Sequence, residues 1–252
     1  MKKFIKNIIH KLGYDIKKIN TEFSNYPLEH VLKEKITQNP IIFDVGGNSG
    51  QSVTKFKKIF KKPIIHSFEP IKKEFNIMSE KFQNDESVIL NNYALGEIEE
   101  EKKFNISVKT GASSFNKINN NSRWLQVRSK EYNKNKNEFV KTTTVKVSTL
   151  DKYFLNNKLN YIDLLKIDTQ GYEDKVLQGS MNTFKQNKIK AVVTEIMFDD
   201  VYDKYFSFSD IEKFLLPNNF RMVGIYLYSN SLFNNLTFFA DVCYFNKNYY
   251  DL

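Results

Sequence analysis

Four short stretches combine residue types that chemistry can use. Asp44-Val45-Gly46-Gly47-Asn48-Ser49-Gly50 follows the apolar run Ile41-Ile42-Phe43. Glycines at a strand-to-helix turn let the backbone approach a ligand, and a helix N-terminus offers free N–H groups. The turn is not the GxGxxG dinucleotide fingerprint, because Asn48 stands where the second glycine would be. It also lacks the GK[ST] of a phosphate-binding loop. Glu69 lies 25 residues after Asp44, at the end of a second apolar run and just before Pro70. A carboxylate there can accept hydrogen bonds from both hydroxyls of a ribose. Asn91-Asn92-Tyr93-Ala94-Leu95-Gly96 follows a third run, and Lys166-Ile167-Asp168-Thr169-Gln170-Gly171-Tyr172-Glu173 ends a fourth. All four fall at strand C-terminal ends, where open α/β sheets bind ligands.

The elements that must position these residues follow from periodicity. Short buried strands are predicted over 41–45, 64–68, 88–90, 161–167 and 191–196, with helices over about 50–60, 71–82, 172–177 and 209–216. Ser49 or Asn48 is expected to cap the first helix, and Ser148-Thr149-Leu150-Asp151 has capping-box spacing. Strands over about 220–227 and 237–245 close the chain. Strands alternating with helices mean a doubly wound, mostly parallel sheet. Phe104, Ile106 and Val108 alternate with polar residues, the mark of a half-exposed antiparallel strand, and another strand is expected over 143–147. Residues 109–141 read as a loop or cap with short structure. The division expected is an N-terminal extension over 1–39 and one catalytic domain over 40–252, with a cap at about 100–142.

A chain of 252 residues with 41% hydrophobic and 27% charged residues rules out wholesale disorder and a polytopic membrane protein. One cysteine, Cys243, excludes an intramolecular disulfide. His10, His30 and His66 form no local metal motif, and no metal is expected. Lys and Arg outnumber Asp and Glu by 38 to 29, yet only three of the 38 are arginine. That argues against a nucleic-acid binder, which leans on Arg. The excess is concentrated in residues 1–39, with 8 basic and 4 acidic groups, and 109–141, with 8 and 2. In the first segment Phe4, Ile5, Ile8, Ile9, Leu12, Ile16 and Ile19 recur at helical spacing between lysines. This is no secretory signal. It reads as a basic amphipathic helix, packed on the body or on a second subunit, or touching an anionic membrane surface.

FDVGGNSG, SFEP, NNYALG, GASSF, VSTLDKY and KIDTQGYE, in this order, resemble the FkbM-type methyltransferases over roughly residues 40–246. The resemblance implies a seven-stranded Rossmann-like sheet and S-adenosylmethionine as cofactor. It implies a cofactor site built from Asp44, Gly46, Gly47, Asn48 and Gly50, with Glu69 and Pro70 at the ribose. Asn92, Tyr93 and Ala94 would flank the adenine, with Asp168 and Gln170 nearby. Gly47 departs from a frequent Ala, and Gln170 from a frequent Glu. The implied reaction is methylation of a hydroxyl oxygen on a sugar or secondary metabolite.

Methyl transfer from a sulfonium is an in-line displacement, and an alcohol acceptor must lose its proton as it attacks. The histidines are poorly placed for this, so a carboxylate is the expected base. Asp168 is the first candidate and Glu195, in the fifth strand, the second; the alternative role for Asp168 is to support the structure or orient the cofactor. Ser113 and Ser114 are candidates to hydrogen-bond the acceptor. Trp124 offers a face for a sugar ring or an anchor for the cap. Lys117, Arg123 and Arg128 are the candidate contacts to an anionic acceptor. The expectation is a cytoplasmic O-methyltransferase of surface-glycan biosynthesis, monomeric or homodimeric, with the inner face of the membrane as the alternative location. Open alternatives are a phosphorylated or nucleotide-linked small acceptor, an RNA methyltransferase, or a silent scaffold that kept the fold.

Overall fold

A computed structural model describes Ile5, His10, Lys11 and residues 26–229 and 237–251. The amphipathic helix expected over Phe4–Ile19 lies outside the described residues, apart from those three.

Strand β1 (Ile41–Val45) lies third from one edge of a seven-stranded sheet. It pairs in parallel with β2 (Ile64–Phe68) on one side and with β7 (Leu164–Ile167) on the other. β2 pairs in parallel with β3 (Val88–Asn91), and β7 with β8 (Ala191–Met197). β10 (Thr237–Asn246) runs antiparallel between β8 and the edge strand β9 (Phe220–Ser229). The order is therefore β3-β2-β1-β7-β8-β10-β9. The chain works outward from β1 to β3, then returns to β7 on the other side. That reversal opens a crevice between the tips of β1 and β7.

Each buried strand alternates its side chains between two apolar layers, so both faces must be covered. Ile42, Ile65 and Leu164 pack under α1 (Leu28–Lys35), α2 (Gln51–Ile59) and α3 (Lys72–Phe82), against Val31, Leu32, Val53, Phe56 and Met78. Phe43, Phe68, Leu165 and Ile167 pack on the other face. There they meet α5 (Leu150–Asn156), α6 (Glu173–Gln178), α7 (Met181–Lys185) and α8 (Phe208–Leu215). His66 lies on this second face, where its Nδ1 is 2.8 Å from the Tyr153 hydroxyl. Burial pushes its pKa down to about 4, so it stays neutral.

A second, three-stranded sheet carries the expected cap. β4 (Ala94–Leu95) runs parallel to β6 (Val140–Ser148), and β5 (Glu100–Ser107) runs antiparallel to it. Between β5 and β6 the basic segment holds a 3-10 turn (Thr110–Ala112) and α4 (Arg123–Glu131), capped by Ser122. Ala112, Ile118, Trp124, Leu125 and Phe139 bury against Met197, Val201, Tyr202 and Phe238. This cluster seats the cap over the ends of β8 and β10.

Three local expectations need correction. Neither Ser49 nor Asn48 caps α2: the N-cap is Gly50, in left-handed backbone at φ 80°, with no side-chain cap. Asn48 Oδ1 instead accepts the adjacent Ser49 N–H. The cap of α5 is Thr149, which accepts the Lys152 N–H, while Asp151 reaches across to the N–H groups of Asn182 and Thr183 on α7. β7 begins at Leu164 rather than 161, because Ile162 makes a single bridge to Ile189 and the Asp163 carboxylate takes the Ile41 N–H.

Candidate active site

The strand register assembles the buried charges. Asp44 stands between Ser67 on β2 and Lys166 on β7. Its Oδ2 accepts the Ser67 hydroxyl at 3.0 Å. Its Oδ1 is 3.3 Å from Lys166 Nζ but has no hydrogen-bond partner. Lys166 Nζ is also 3.3 Å from Asp168 Oδ2. Burial works against its charge, but Asp168, Asp44 and Asp241 outweigh that and hold its pKa above the usual lysine value.

The glycine turn is shaped by the protein itself. At φ 87°, Gly46 packs so closely on β7 that a Cβ there would overlap the carbonyl oxygen of Asp168. A Cβ on Gly47 would overlap Ser67 Oγ, and one on Gly50 would lie 2.6 Å from the Phe82 ring. The N–H groups of the turn itself are used within the protein: Gly46 and Gly47 donate to the Phe68 carbonyl, Asn48 to Glu69 Oε2, and Gly50 to the Gly47 carbonyl.

Glu69 is buried at the tip of β2. Its two oxygens accept the N–H groups of Asn48 at 2.8 Å and Ile71 at 2.7 Å. Burial outweighs both bonds and raises its pKa to about 7. Beside it opens a cavity walled by Gly46, Asn48, Glu69, Pro70, Ile71, Ala94, Leu95, Phe104, Ser113, Phe115, Asp168 and Gln170 among others. Asn92 and Tyr93, expected beside an adenine, are not part of that wall. Asn92 Nδ2 donates to the carbonyls of Glu69 and Pro70 and fixes the turn. Tyr93 packs edge-on against Phe68, behind the wall.

The loop after β7 is held in place by Glu173. One buried carboxylate oxygen accepts the Thr169 N–H, the Thr169 hydroxyl and the Gly171 N–H. Burial raises the Glu173 pKa to about 7. Gln170, at φ 58°, donates from Nε2 to Asp168 Oδ1 and Glu195 Oε2, each at 2.8 Å. Burial, then Asp168, Glu173 and Asp241, push the Glu195 pKa well up, with Lys166 opposing.

Glu195 and Gln170 face a second cavity, walled also by Lys109, Trp124, Met197, Phe238 and Phe239. Trp124 thus both anchors the cap and presents to this space. Phe238 and Phe239 of β10 line it too. A third open space, bounded by Gln51, Lys109, Tyr132, Lys166 and Asp168, adjoins the glycine turn. Gly111 borders all three spaces, and a Cβ there would meet nothing within 4 Å.

Several expected substrate contacts lie elsewhere. Ser113 lines the first cavity, but its Oγ accepts the Ser107 N–H. Ser114 Oγ is used within the protein, donating to the Gln170 carbonyl and accepting the Asn116 N–H. Lys117 and Arg123 are exposed and border none of these three spaces. Arg128 pairs with Glu131 at 2.5 Å and lies over the Trp124 ring. The cation that borders two of the spaces is Lys109, which makes no ion pair among the described residues. Desolvation, then Arg128, lower its pKa, against Glu131 and Glu195. No pattern distinguishes it from other lysines; only its place just before Gly111-Ala112-Ser113-Ser114-Phe115 was visible.

These residues fit S-adenosylmethionine. Asp44 and Asp168 flank Lys166, and two acids against one cation make a field that favours a sulfonium over a phosphate. Glu69 retains lone pairs for ribose hydroxyls. Apolar walls suit an adenine. The cofactor supplies an electrophilic methyl group.

No curated protein matches the chain in sequence. Among solved structures, it is similar to magnesium protoporphyrin IX methyltransferase from Synechocystis PCC 6803 with bound SAM, at 9% identity over 97% of this chain and 96% of that one, with a TM-score of 0.46. It is likewise similar to precorrin-6y C5,15-methyltransferase from Geobacter metallireducens, at 8% identity over 91% and 93% of the two chains, TM-score 0.45. The M. capricolum TrmK in complex with S-adenosyl-homocysteine matches at 13% identity over 90% and 70%, TM-score 0.45. The family model of the methyltransferase FkbM domain matches residues 44–222. The chain therefore belongs to the FkbM methyltransferase family, with S-adenosylmethionine as its methyl donor.

Proposed function

We propose that the protein transfers a methyl group to a hydroxyl oxygen of a sugar or sugar-derived intermediate of surface-glycan biosynthesis that bears an acid group. The observation that carries this reading is the cavity where Trp124, Phe238 and Phe239 meet Lys109 and Glu195. Aromatic faces suit the C–H faces of a sugar ring. Lys109 offers a countercharge to an acid group, in place of Lys117, Arg123 and Arg128. Asp168, on the border of two neighbouring spaces, takes the hydroxyl proton as the oxygen attacks. The same features support a second reading, a phosphorylated or nucleotide-linked small acceptor.

The experiment is incubation with methyl-labelled S-adenosylmethionine and separate pools of nucleotide sugars, uronic acids, sugar phosphates, neutral oligosaccharides and RNA. Mass spectrometry should find a gain of one methyl group in the acidic sugar pools. Nucleotide-linked or phosphorylated products alone would favour the second reading. Methylation of RNA alone, or of neutral sugars alone, would overturn both.

A further inference from the structure

Two acids stand at one place in this site, yet a base is useful only if it is ionised by itself. We propose that Gln170 is a positioning residue that keeps Asp168 and Glu195 as two separate carboxylates instead of one proton-sharing pair. The inference rests on the reading of Asp168 as base, but its geometry is independent of any acceptor.

A side-chain amide nitrogen carries two hydrogens. Those of Gln170 go one to each acid, both at 2.8 Å. Turned over, the amide would aim its oxygen at two carboxylates, so this orientation is the only workable one. Its oxygen lies 3.2 Å from the Tyr202 hydroxyl. The backbone is pinned as well: the Gln170 carbonyl accepts Ser114 Oγ, and the Gly171 carbonyl accepts Asn116 Nδ2 at 2.5 Å. The cap therefore fixes the loop that aims the amide.

The surroundings of the two acids differ. Asp168 has Lys166 at 3.3 Å in addition to the Gln170 N–H. Glu195 is faced by Asp168 beyond β7, Glu173 on α6 and Asp241 on β10, with Lys166 and Lys109 the nearby cations. Without the two N–H bonds, these like charges would relax by sharing a proton, and the pair would titrate as a unit. With them, each acid has its own N–H donor and titrates apart from the other.

The test is a titration of carboxyl-13C-labelled full-length protein by NMR, assigned with Asp168→Asn and Glu195→Gln. In Gln170→Met, which fills similar space without N–H groups, the Asp168 midpoint should move up by about one pH unit or more. It should also become coupled to that of Glu195. With an acceptor in hand, the acid limb of the kcat profile should move the same way while acceptor KM changes less. An unmoved Asp168 midpoint in Gln170→Met would make Gln170 mere packing and overturn the proposal. Should that variant not fold, Glu195→Gln decides. The proposal requires the Asp168 midpoint to shift by less than about half a unit, and a shift of about one unit or more would show the acids already coupled. If Asp168→Asn remains fully active while these titrations behave as stated, the base reading fails and the uncoupling by Gln170 stands.

Discussion

Glu69 and Asn48 join the tips of two neighbouring strands: the carboxylate Oε2 accepts the Asn48 N–H at 2.8 Å, while the other oxygen holds Ile71. One side chain thus shapes the glycine turn and faces the first cavity at once. Replacing it by Ala should weaken S-adenosylmethionine binding by about 1.5–3 kcal/mol, roughly 10- to 150-fold. Because the free carboxyl titrates near about 7, and hydroxyls bond more strongly to its ionised form, affinity should rise between about pH 6 and 8 and then level off. Calorimetry on Glu69→Gln should show weaker binding with that pH dependence removed. A flat wild-type profile would take Glu69 away from the cofactor.

Asp168→Asn keeps the size of the side chain but removes its basicity. Turnover should fall by roughly a hundredfold or more, with little change in cofactor affinity. Paired calorimetry and single-turnover rates separate the two effects. A collapse of binding with chemistry intact would make Asp168 a cofactor ligand.

Gly47 and Ser67 occupy each other's space. Gly47→Ala should cost about 1–3 kcal/mol in urea unfolding, and Ser67→Ala in the same chain should recover part of it. Strict additivity of the two changes would show that residue 47 has room.

Glu173 holds its proton in the folded chain at pH values where the unfolded chain has lost it. Folded stability should therefore fall as pH rises from 4.5 to about 7 and flatten beyond. Glu69 adds a fall in the same direction. Glu173→Gln keeps an acceptor for Thr169 and Gly171 and should make the slope shallower. An unchanged slope in that variant would assign the pH dependence to other groups.

Lys109→Met should raise KM several-fold for acidic acceptors, and less so at high salt, while leaving neutral ones alone. Lys117→Met with Arg123→Met should change neither. Equal effects on charged and neutral acceptors would deny Lys109 a part in selecting the acceptor.

Much of this site is local in sequence, and that part was legible. The strands ending at Val45, Phe68, Asn91 and Ile167 announce themselves by short apolar runs, and their tips carry Glu69 and Asp168. The contact between Gln170 and Glu195 joins residues 25 apart on neighbouring tips, so no spacing rule reveals it. The cap misled for a related reason. Its charge count was read correctly, but a count carries no direction: α4 turns Arg123 to solvent and stacks Arg128 on Trp124, and Lys109 alone is left at the walls. Gly46 and Gly47 border the open spaces, and they also make room for the protein's own Asp168 carbonyl and Ser67 hydroxyl, which the turn's spacing alone does not reveal.

The small sheet that bears the cap begins and ends inside the catalytic half of the chain. β4 follows β3 after two residues, and the Gly96 N–H bonds the Ser148 carbonyl at the end of β6, just before α5. Excising residues 100–142 would strip β6 of its antiparallel neighbour and release the hydroxyl and amide that clamp Gln170 and Gly171. Trimming the cap therefore leaves the loop that carries Gln170 unclamped. A change of acceptor must instead come from rewriting side chains on a cap that stays where it is.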